Sequence, residues 1–370
     1  MSDKVRLGVV GCGAISSAYL GMAKNFPIVE VAACADLDVS RAKAQAERFQ
    51  VARACSVDEL LDDPSIQIVL NLTVPKAHVP VALQAIAKGK HTYCEKPLGV
   101  NREEGLKVLA AAKAKNVLVG CAPDTFMGAG IQTARKLIDE GAIGKPISFT
   151  AFMLSRGHET WHPSPEFYYE VGGGPMFDMG PYYLTALLNL LGPVKRISGG
   201  ASIAISPRTI TSQPKFGKKV NVETPDHVAG LMEFENGAIG TIVTSFATFL
   251  PGDSHPQPIT VFGTEGALRV PDPNGFDGPV YLHRKDTDLW REVPHTFVKG
   301  YGRSIGAADM AYAIRSGRGV RASGDQGMAV LDLMQGFLDS AREGKFHTPI
   351  TKYQRPAPMP AELPFGTLDS

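Results

Sequence analysis

The feature that most constrains this chain is the rhythm of its first 120 residues. Short β-branched and apolar runs at 6–10, 29–35, 68–72, 91–94 and 117–121 are separated by segments long enough to hold a helix. Antiparallel neighbours need only a tight turn, whereas parallel neighbours need a crossover of a dozen residues or more, so this spacing predicts a doubly wound parallel sheet. The spacers themselves read as helices, as in 40–49 and 102–115, which are rich in Ala, Lys and Glu. The pattern closes near Asp124, which sets a first domain over 1–124 and a second over 125–370.

Beyond a further helix at about 130–140 the texture changes. Longer β-branched and aromatic stretches at 147–154, 227–235, 238–248 and 258–263 follow one another without helix-length spacers, and Asn236-Gly237 marks a hairpin turn between two of them. The second domain therefore reads as α+β with a largely antiparallel open sheet. Helices return at 179–191, 304–316 and 324–343, and the Pro-rich 355–364 reads as an extended tail. The fold class is α/β throughout, a Rossmann-type sheet followed by this α+β domain.

Charge narrows the partners. The 38 basic and 37 acidic side chains leave a formal charge of +1, so no global field draws nucleic acid or an anionic membrane, and a small molecule is the expected partner. No apolar run reaches the ~18 residues of a membrane helix, and no signal-peptide pattern precedes the first strand. The five cysteines at 12, 34, 55, 94 and 121 form no C-x-x-C pair, which points to reduced, buried thiols and a cytoplasmic location.

Directly after the first strand comes Gly11-Cys12-Gly13-Ala14-Ile15-Ser16, opening a helical stretch. Glycines permit a tight turn and close approach of backbone N–H groups to a pyrophosphate, and the helix N-terminus adds partial positive charge. The third fingerprint position is Ser16 rather than Gly or Ala. Asp36 ends the second strand twenty-three residues past Gly13, close to the spacing at which a carboxylate meets the adenosine ribose. A carboxylate there disfavours a 2′-phosphate, so the expected cofactor is NAD. Arg41 keeps NADP open, since a guanidinium accommodates that phosphate, and Asp36 can also simply start the following turn.

Three further motifs join this one: Asn71-Leu72-Thr73-Val74-Pro75 with His78, Glu95-Lys96-Pro97-Leu98, and Gly172-Gly173-Gly174-Pro175-Met176-Phe177-Asp178-Met179-Gly180. With them the chain resembles, over nearly its whole length, the glucose-fructose oxidoreductase and inositol dehydrogenase family, Gfo/Idh/MocA. The resemblance implies a homodimer or homotetramer formed through the outer face of the second sheet. It places Thr73, Val74, Pro75 and His78 in the loop beside the nicotinamide, and Glu95 and Lys96 where nicotinamide and substrate meet. It also makes Lys96, Asp178 and Tyr182 the catalytic set. Many members carry histidine where this chain has Tyr182, although the branch resembling glucose-fructose oxidoreductase and dihydrodiol dehydrogenase has tyrosine.

Oxidising a secondary alcohol needs a base near the hydroxyl and a group that steadies developing negative charge. Lys96 and Tyr182 are the natural pair; Tyr182 is alternatively an aromatic wall of the pocket. Asp178 either orients substrate hydroxyls or tunes Lys96, and its four-residue spacing to Tyr182 puts both on one face of a single helix. The segment 156–169 is dense in aromatic and imidazole groups, with Trp161 and His162 as substrate candidates and loop packing as the other reading. His158 and His162 have no evident third ligand, so no metal is expected. Arg303 either meets an anionic substrate group or pairs on the surface.

These residues favour an NAD-dependent oxidoreductase that interconverts alcohol and ketone on a sugar, cyclic polyol or glycoside. The alternative enzyme class is a redox-neutral NAD-dependent glycoside hydrolase working by transient oxidation and elimination. A non-catalytic NAD-holding protein is a third class, disfavoured by Lys96, Asp178 and Tyr182 together.

Overall fold

A computed structural model describes residues 4–250 and 256–369. The chain opens with β1 (Val5–Val10), α1 (Ser16–Ala23), β2 (Val29–Ala35), α2 (Val39–Phe49), β3 (Arg53–Cys55), α3 (Val57–Asp62), β4 (Ile68–Asn71), α4 (Pro75–Ala87), β5 (His91–Cys94), α5 (Arg102–Lys115) and β6 (Val119–Cys121). These six strands form one all-parallel sheet in the order β3-β2-β1-β4-β5-β6. Helices on both faces bury both sides of each central strand, which is why the strands read as continuous apolar runs; every residue of β4 is buried. Side-chain oxygens of Asp38, Ser56 and Asn101 cap the helices they precede, Ser56 in a capping box with Glu59. The three-residue β3 was not foreseen, being too short to carry a pattern. Strand order reverses between β1 and β4, so the loops leaving those two strands flank the crevice where ligands of such sheets bind.

Next come α6 (Ala129–Asp139), β7 (Pro146–Leu154), α7 (Gly174–Asp178), α8 (Gly180–Leu191), β8 (Val194–Ser202), the short pair β9 (Arg208–Thr209) and β10 (Lys219–Val220), then β11 (His227–Phe234), β12 (Ile239–Ser245), β13 (Ile259–Gly263), β14 (Gly266–Val270), β15 (Val280–Arg284), β16 (Arg291–Val293), α9 (Ile305–Ser316) and α10 (Gly324–Glu343). The second sheet has eight strands in the order β16-β15-β14-β13-β7-β12-β11-β8. Its neighbours are antiparallel except β7 with β12, so the expected sheet is present with one parallel seam. Phe149, Ala151 and Met153 of β7 point to the covered face, and α8 is buried along its entire length. Gly199 and Gly230 face each other across β8 and β11, and their missing side chains make room for the Phe337 ring of α10. Asn236-Gly237 turns β11 into β12, with Gly237 at φ +93° and the Asn236 carboxamide oxygen accepting from the Ala238 N–H.

One expected helix is two. α7 ends at Asp178, Met179 sits at φ −107°, ψ −26°, and α8 restarts at Gly180. Pro181 has no N–H to give the carbonyl four residues back, so the ladder breaks there. Asp178 and Tyr182 therefore do not share one helical face.

By compactness the chain divides into one unit of Met1–Gln132, Thr296–Leu331 and Pro356–Ser370 and another of Thr133–His295 and Asp332–Arg355. In the first unit α9 packs against α1, β5 and β6, and Gly120 of β6 bridges antiparallel to Ser323. Residues 356–369 hold no helix or strand yet are packed: the Met359 N–H donates to the Gln132 carboxamide at 3.0 Å and Leu368 is fully buried. All five cysteines are free and buried. No helix among the described residues is long and apolar enough to cross a membrane.

Acid stability follows from one half-buried ring in the first sheet. His91 Nδ1 accepts the Leu118 N–H at 2.8 Å, and burial pushes its pKa below the ordinary 6.5. Below about pH 6.5 the unfolded chain binds a proton that the folded ring refuses, so this contribution is complete at neutral pH and is lost as the pH falls, by at most ~1.4 kcal/mol per unit. Urea unfolding at pH 7.5 and 5.5 should show this loss, and His91→Gln, which keeps an acceptor but does not titrate, should flatten the pH slope. Equal slopes would reject the assignment.

Candidate active site

The crevice at the strand-order reversal is built from backbone constraints. Gly11 lies at φ +97°, and a Cβ there would stand 2.7 Å from the Leu72 carbonyl, so only glycine lets β1 leave the sheet this close to the loop after β4. Gly13 is the opposite case: it is exposed, and nothing lies within 4 Å of where its Cβ would be. A pyrophosphate needs that open approach to the N–H groups at the start of α1. Ala14 and Ile15 are exposed beside it. Ser16 is buried with its hydroxyl donating to the Gly13 carbonyl at 2.6 Å, so the departure at the third fingerprint position braces the turn from inside.

Asp36 is tied to the same turn. Its Oδ2 accepts from the Cys12 N–H at 2.7 Å and its Oδ1 from the Asp38 N–H at 2.9 Å. Each carboxylate oxygen has two lone pairs, so this anchoring leaves acceptor capacity for ribose hydroxyls. The residues present thus fit an NAD adenosine and pyrophosphate. Arg41 lies 3.6 Å from Asp38 in an exposed ion pair. The Cys12 thiol sits among Cys34 and Cys55, and the Cys34 hydrogen bond and burial push its pKa far up, so it is no nucleophile.

After β4 the loop is held by Asn71, which is fully buried. Its Oδ1 accepts the Thr73 hydroxyl at 2.7 Å and its amide donates to the His78 carbonyl at 2.8 Å. Val74 and Pro75 are exposed at the tip. His78 is not at the tip: it is 1% exposed, with Nδ1 2.8 Å from the Pro97 carbonyl and Nε2 2.9 Å from the Thr73 carbonyl. Burial lowers its pKa, and a neutral ring has one N–H to give, so it donates to one of these two carbonyls while packing against the other, behind both loops. Glu95 is buried too, with Oε1 accepting the Tyr19 hydroxyl at 2.7 Å and Oε2 the Lys96 N–H at 3.0 Å. Lys96 follows at the end of β5, half-buried. Arg303 lies 3.4 Å from fully buried Asp124, an ion pair inside the first unit rather than on its surface.

In the second unit the chain leaves β7 into the aromatic segment 155–173. Arg208, with 1% of its side chain exposed, donates to Glu159 at 2.8 Å, to Asp226 at 2.7 Å and to the Phe246 carbonyl at 2.8 Å. Glu159 also takes the Tyr169 hydroxyl, and Tyr169 oxygen accepts the His158 N–H at 3.0 Å. Burial and the Glu159 carboxylate push the Tyr169 pKa up. Against this base His158 Nε2 stands 2.8 Å from Asp178 Oδ2. Trp161 projects from the loop with 61% exposure, its ring 5.3 Å from that of half-buried His162, which also abuts Phe167 and Tyr168. Tyr182 lies in the first turn of α8, 7% exposed.

The structure thus gathers Gly11, Gly13 and Asp36 in one turn, Thr73, His78, Glu95 and Lys96 along two adjoining loops, and Trp161, His162 and Asp178 around His158. Tyr19, Asn71 and His158 were not singled out from the sequence for these contacts. Asn71 stood in a quoted motif, but nothing in the spacing of 19 to 95 or 158 to 178 marks a hydrogen bond.

Comparison with known proteins decides the family. Residues 5–122 match the model described as oxidoreductase family, NAD-binding Rossmann fold, and residues 131–269 match the GFO/IDH/MocA C-terminal domain. The chain belongs to the GFO/IDH/MocA oxidoreductase family. Its N-terminal domain is the NAD-binding Rossmann domain of that family. Trans-1,2-dihydrobenzene-1,2-diol dehydrogenase of Mus musculus is 26% identical, covering 72% of this chain and 74% of its own. Levoglucosan dehydrogenase of Pseudarthrobacter phenanthrenivorans is 28% identical, covering 92% and 96%. An NAD binding oxidoreductase from Klebsiella pneumoniae superposes with a TM-score of 0.82 at 22% identity, over 95% of this chain and all of that one.

The buried guanidinium gives a stability test of the loop's support. Arg208→Ala strands Glu159 and fully buried Asp226 without a counter-charge and should cost about 3–5 kcal/mol in urea unfolding. Arg208→Lys should recover little, since a point charge cannot fork to two carboxylates and a carbonyl. A loss below about 1 kcal/mol for the alanine variant would show that the pairs are not supporting this loop.

Proposed function

We propose that this protein is an NAD-dependent dehydrogenase that interconverts a secondary alcohol and a ketone on a sugar, cyclic polyol or glycoside. The observation that carries the reading is a carboxylate, Asp178, 2.8 Å from His158, whose ring abuts exposed Trp161 and Tyr168 in a cluster that extends to His162 and Phe167. Aromatic faces suit the C–H faces of a saturated ring, while carboxylate and imidazole groups bind its hydroxyls. The near full-length likeness to levoglucosan dehydrogenase supports the same substrate class.

Bound NAD supplies the hydride acceptor. Gly11, Gly13, Ala14 and Ile15 hold its pyrophosphate and Asp36 its adenosine ribose; Thr73, Val74, Pro75, Glu95 and Lys96 border the nicotinamide, with His78 bracing their loops. Lys96 hydrogen-bonds the alcohol oxygen and steadies its charge as the proton leaves. Asp178 orients neighbouring hydroxyls, and Tyr182 takes part in moving the proton, its hydroxyl needing a nearby positive charge to act near neutral pH. Trp161 and His162 form the outer wall of the substrate site. The five reduced cysteines favour a cytoplasmic setting.

We also propose that copies associate as a homodimer or homotetramer through the uncovered face of the eight-stranded sheet. Phe152 pairs there with Val243, and Thr241 with Leu231, beside the half-exposed Ile239. Sedimentation velocity should find an oligomer that Val243→Arg dissociates; a monomeric parent overturns this assignment.

The function is tested with NAD and a panel of levoglucosan, myo-inositol, free sugars and simple glycosides, following reduced cofactor and free sugar in parallel. Reduced cofactor should accumulate with one substrate class, and Lys96→Met should lower kcat/KM by about 10²–10⁴-fold while calorimetric NAD affinity holds. Asp36→Ala should instead weaken NAD binding by about tenfold or more. Sugar release that requires NAD but leaves none reduced would move the assignment to the redox-neutral hydrolase. A panel with neither signal, or a fully active Lys96→Met, would overturn the catalytic reading.

A further inference from the structure

His158 belongs to none of the roles assigned above, yet its Nε2 stands 2.8 Å from Asp178 Oδ2. We infer that His158 is a positioning residue: a donor that holds the Asp178 carboxylate through Nε2–H and takes no proton from substrate. The inference rests on the reading of Asp178 as a substrate-orienting group and deepens it.

The protonation state follows from the two ring nitrogens. Nε2 is 2.8 Å from Asp178 Oδ2, and a carboxylate oxygen only accepts, so Nε2 carries the hydrogen. Nδ1 is buried and has no hydrogen-bond partner among the described residues. Around the ring stand Tyr168 at 4.1 Å between centroids and 84°, Phe246 at 4.4 Å and Trp161 at 5.1 Å and 63°. The ring is thus oriented as a donor to the acid, the opposite of what a general base requires, because Nε2 is engaged with the carboxylate and Nδ1 faces the aromatic box rather than an open site.

What holds His158 is equally defined. Its own N–H donates to Tyr169 oxygen, Tyr169 donates to Glu159, and Arg208 pairs Glu159 with Asp226. The titratable and charged groups around His158 include Glu159, His162, Tyr168, Tyr169 and Arg208. A chain of contacts runs from a buried guanidinium to the Asp178 carboxylate without any regular element between them. Asp178 needs this external support because it ends the five-residue α7 immediately before the break at Met179. Fixing one oxygen sets the direction of the whole carboxylate, which is what recognition of a hydroxyl on a saturated ring demands.

Two measurements test this. Long-range ¹H–¹⁵N correlation on the full chain at pH 8, with His158→Phe to assign the signal, should show Nε2 as the ring nitrogen that carries the hydrogen. A hydrogen on Nδ1 with Nε2 bare overturns the inference without reference to any substrate. In the second, His158→Phe keeps ring volume but removes the donor, and His158→Gln restores an N–H near the Nε2 position. With the panel's active substrate, or with levoglucosan where several respond, His158→Phe should raise KM and lower kcat/KM about tenfold or more, with NAD affinity retained. The acid limb of its kcat/KM profile should move to higher pH, and the Gln variant should recover both. Activity falling equally in Phe and Gln variants with no displaced limb would mean loop packing only, and overturns the inference. If Lys96→Met is also fully active, the underlying site reading fails instead; if Lys96→Met is inactive and His158→Phe is normal, only the present inference fails.

Discussion

The main chain at Gly11 passes so near the Leu72 carbonyl that no side chain fits between them, and the cofactor half of the molecule depends on that approach. β1 and β4 are neighbours in the sheet, but their following helices lie on opposite sides, so the two exits must part at one point. A left-handed glycine lets β1 turn away within a residue, and Asp36 then fastens the turn by accepting the next N–H. Everything that lines the crevice is positioned from this junction: the open Gly13, the Ser16 brace, and the loop that Asn71 and His78 hold on the other side.

In the second unit an ionic cluster does for a loop what hydrogen-bond ladders do for strands. Residues 155–173 contain only single turns of 3₁₀ helix, so their backbone groups do not support one another over any length. Arg208 gathers Glu159, Asp226 and a main-chain carbonyl instead, and Tyr169 extends the cluster to His158. Burying a guanidinium with two carboxylates carries a large desolvation cost, offset here by three well-directed hydrogen bonds. A hydrophobic cluster of the same size would tolerate several arrangements of the loop. The charged one tolerates few, and a site that must meet hydroxyls in fixed directions requires that restriction.

Periodicity made most of the fold legible. The five apolar runs of the first sheet, the α5 and α10 helices and the Asn236-Gly237 turn each carry a local signal, whether a two-residue alternation, a helix-length spacer or a residue suited to positive φ. β3, β8 to β10 and β14 to β16 were missed because short or edge strands with Gly, Lys and Arg lack that alternation. The cofactor turn was legible for a similar reason, since glycine spacing and the acid at the next strand end are consecutive events along the chain. The support of Asp178 was not legible, because a hydrogen bond across twenty irregular residues has no period, and the break at Met179 invalidated the helical spacing that seemed to pair Asp178 with Tyr182.

That break changes how the replacement of the family's frequent histidine by Tyr182 is to be understood. Were both residues on one helix, a bulkier phenol would alter the placement of the carboxylate one turn away. They stand on different helices: Tyr182 in α8, which is buried on all sides, and Asp178 at the end of α7 with His158 at 2.8 Å. An imidazole is nonetheless present beside Asp178, supplied by the loop rather than by α8, and its direction differs: it gives a hydrogen bond to the acid and buries its lone pair. On the proposed reading, proton movement then falls to Tyr182 with Lys96, and recognition to an Asp178 that the histidine holds still.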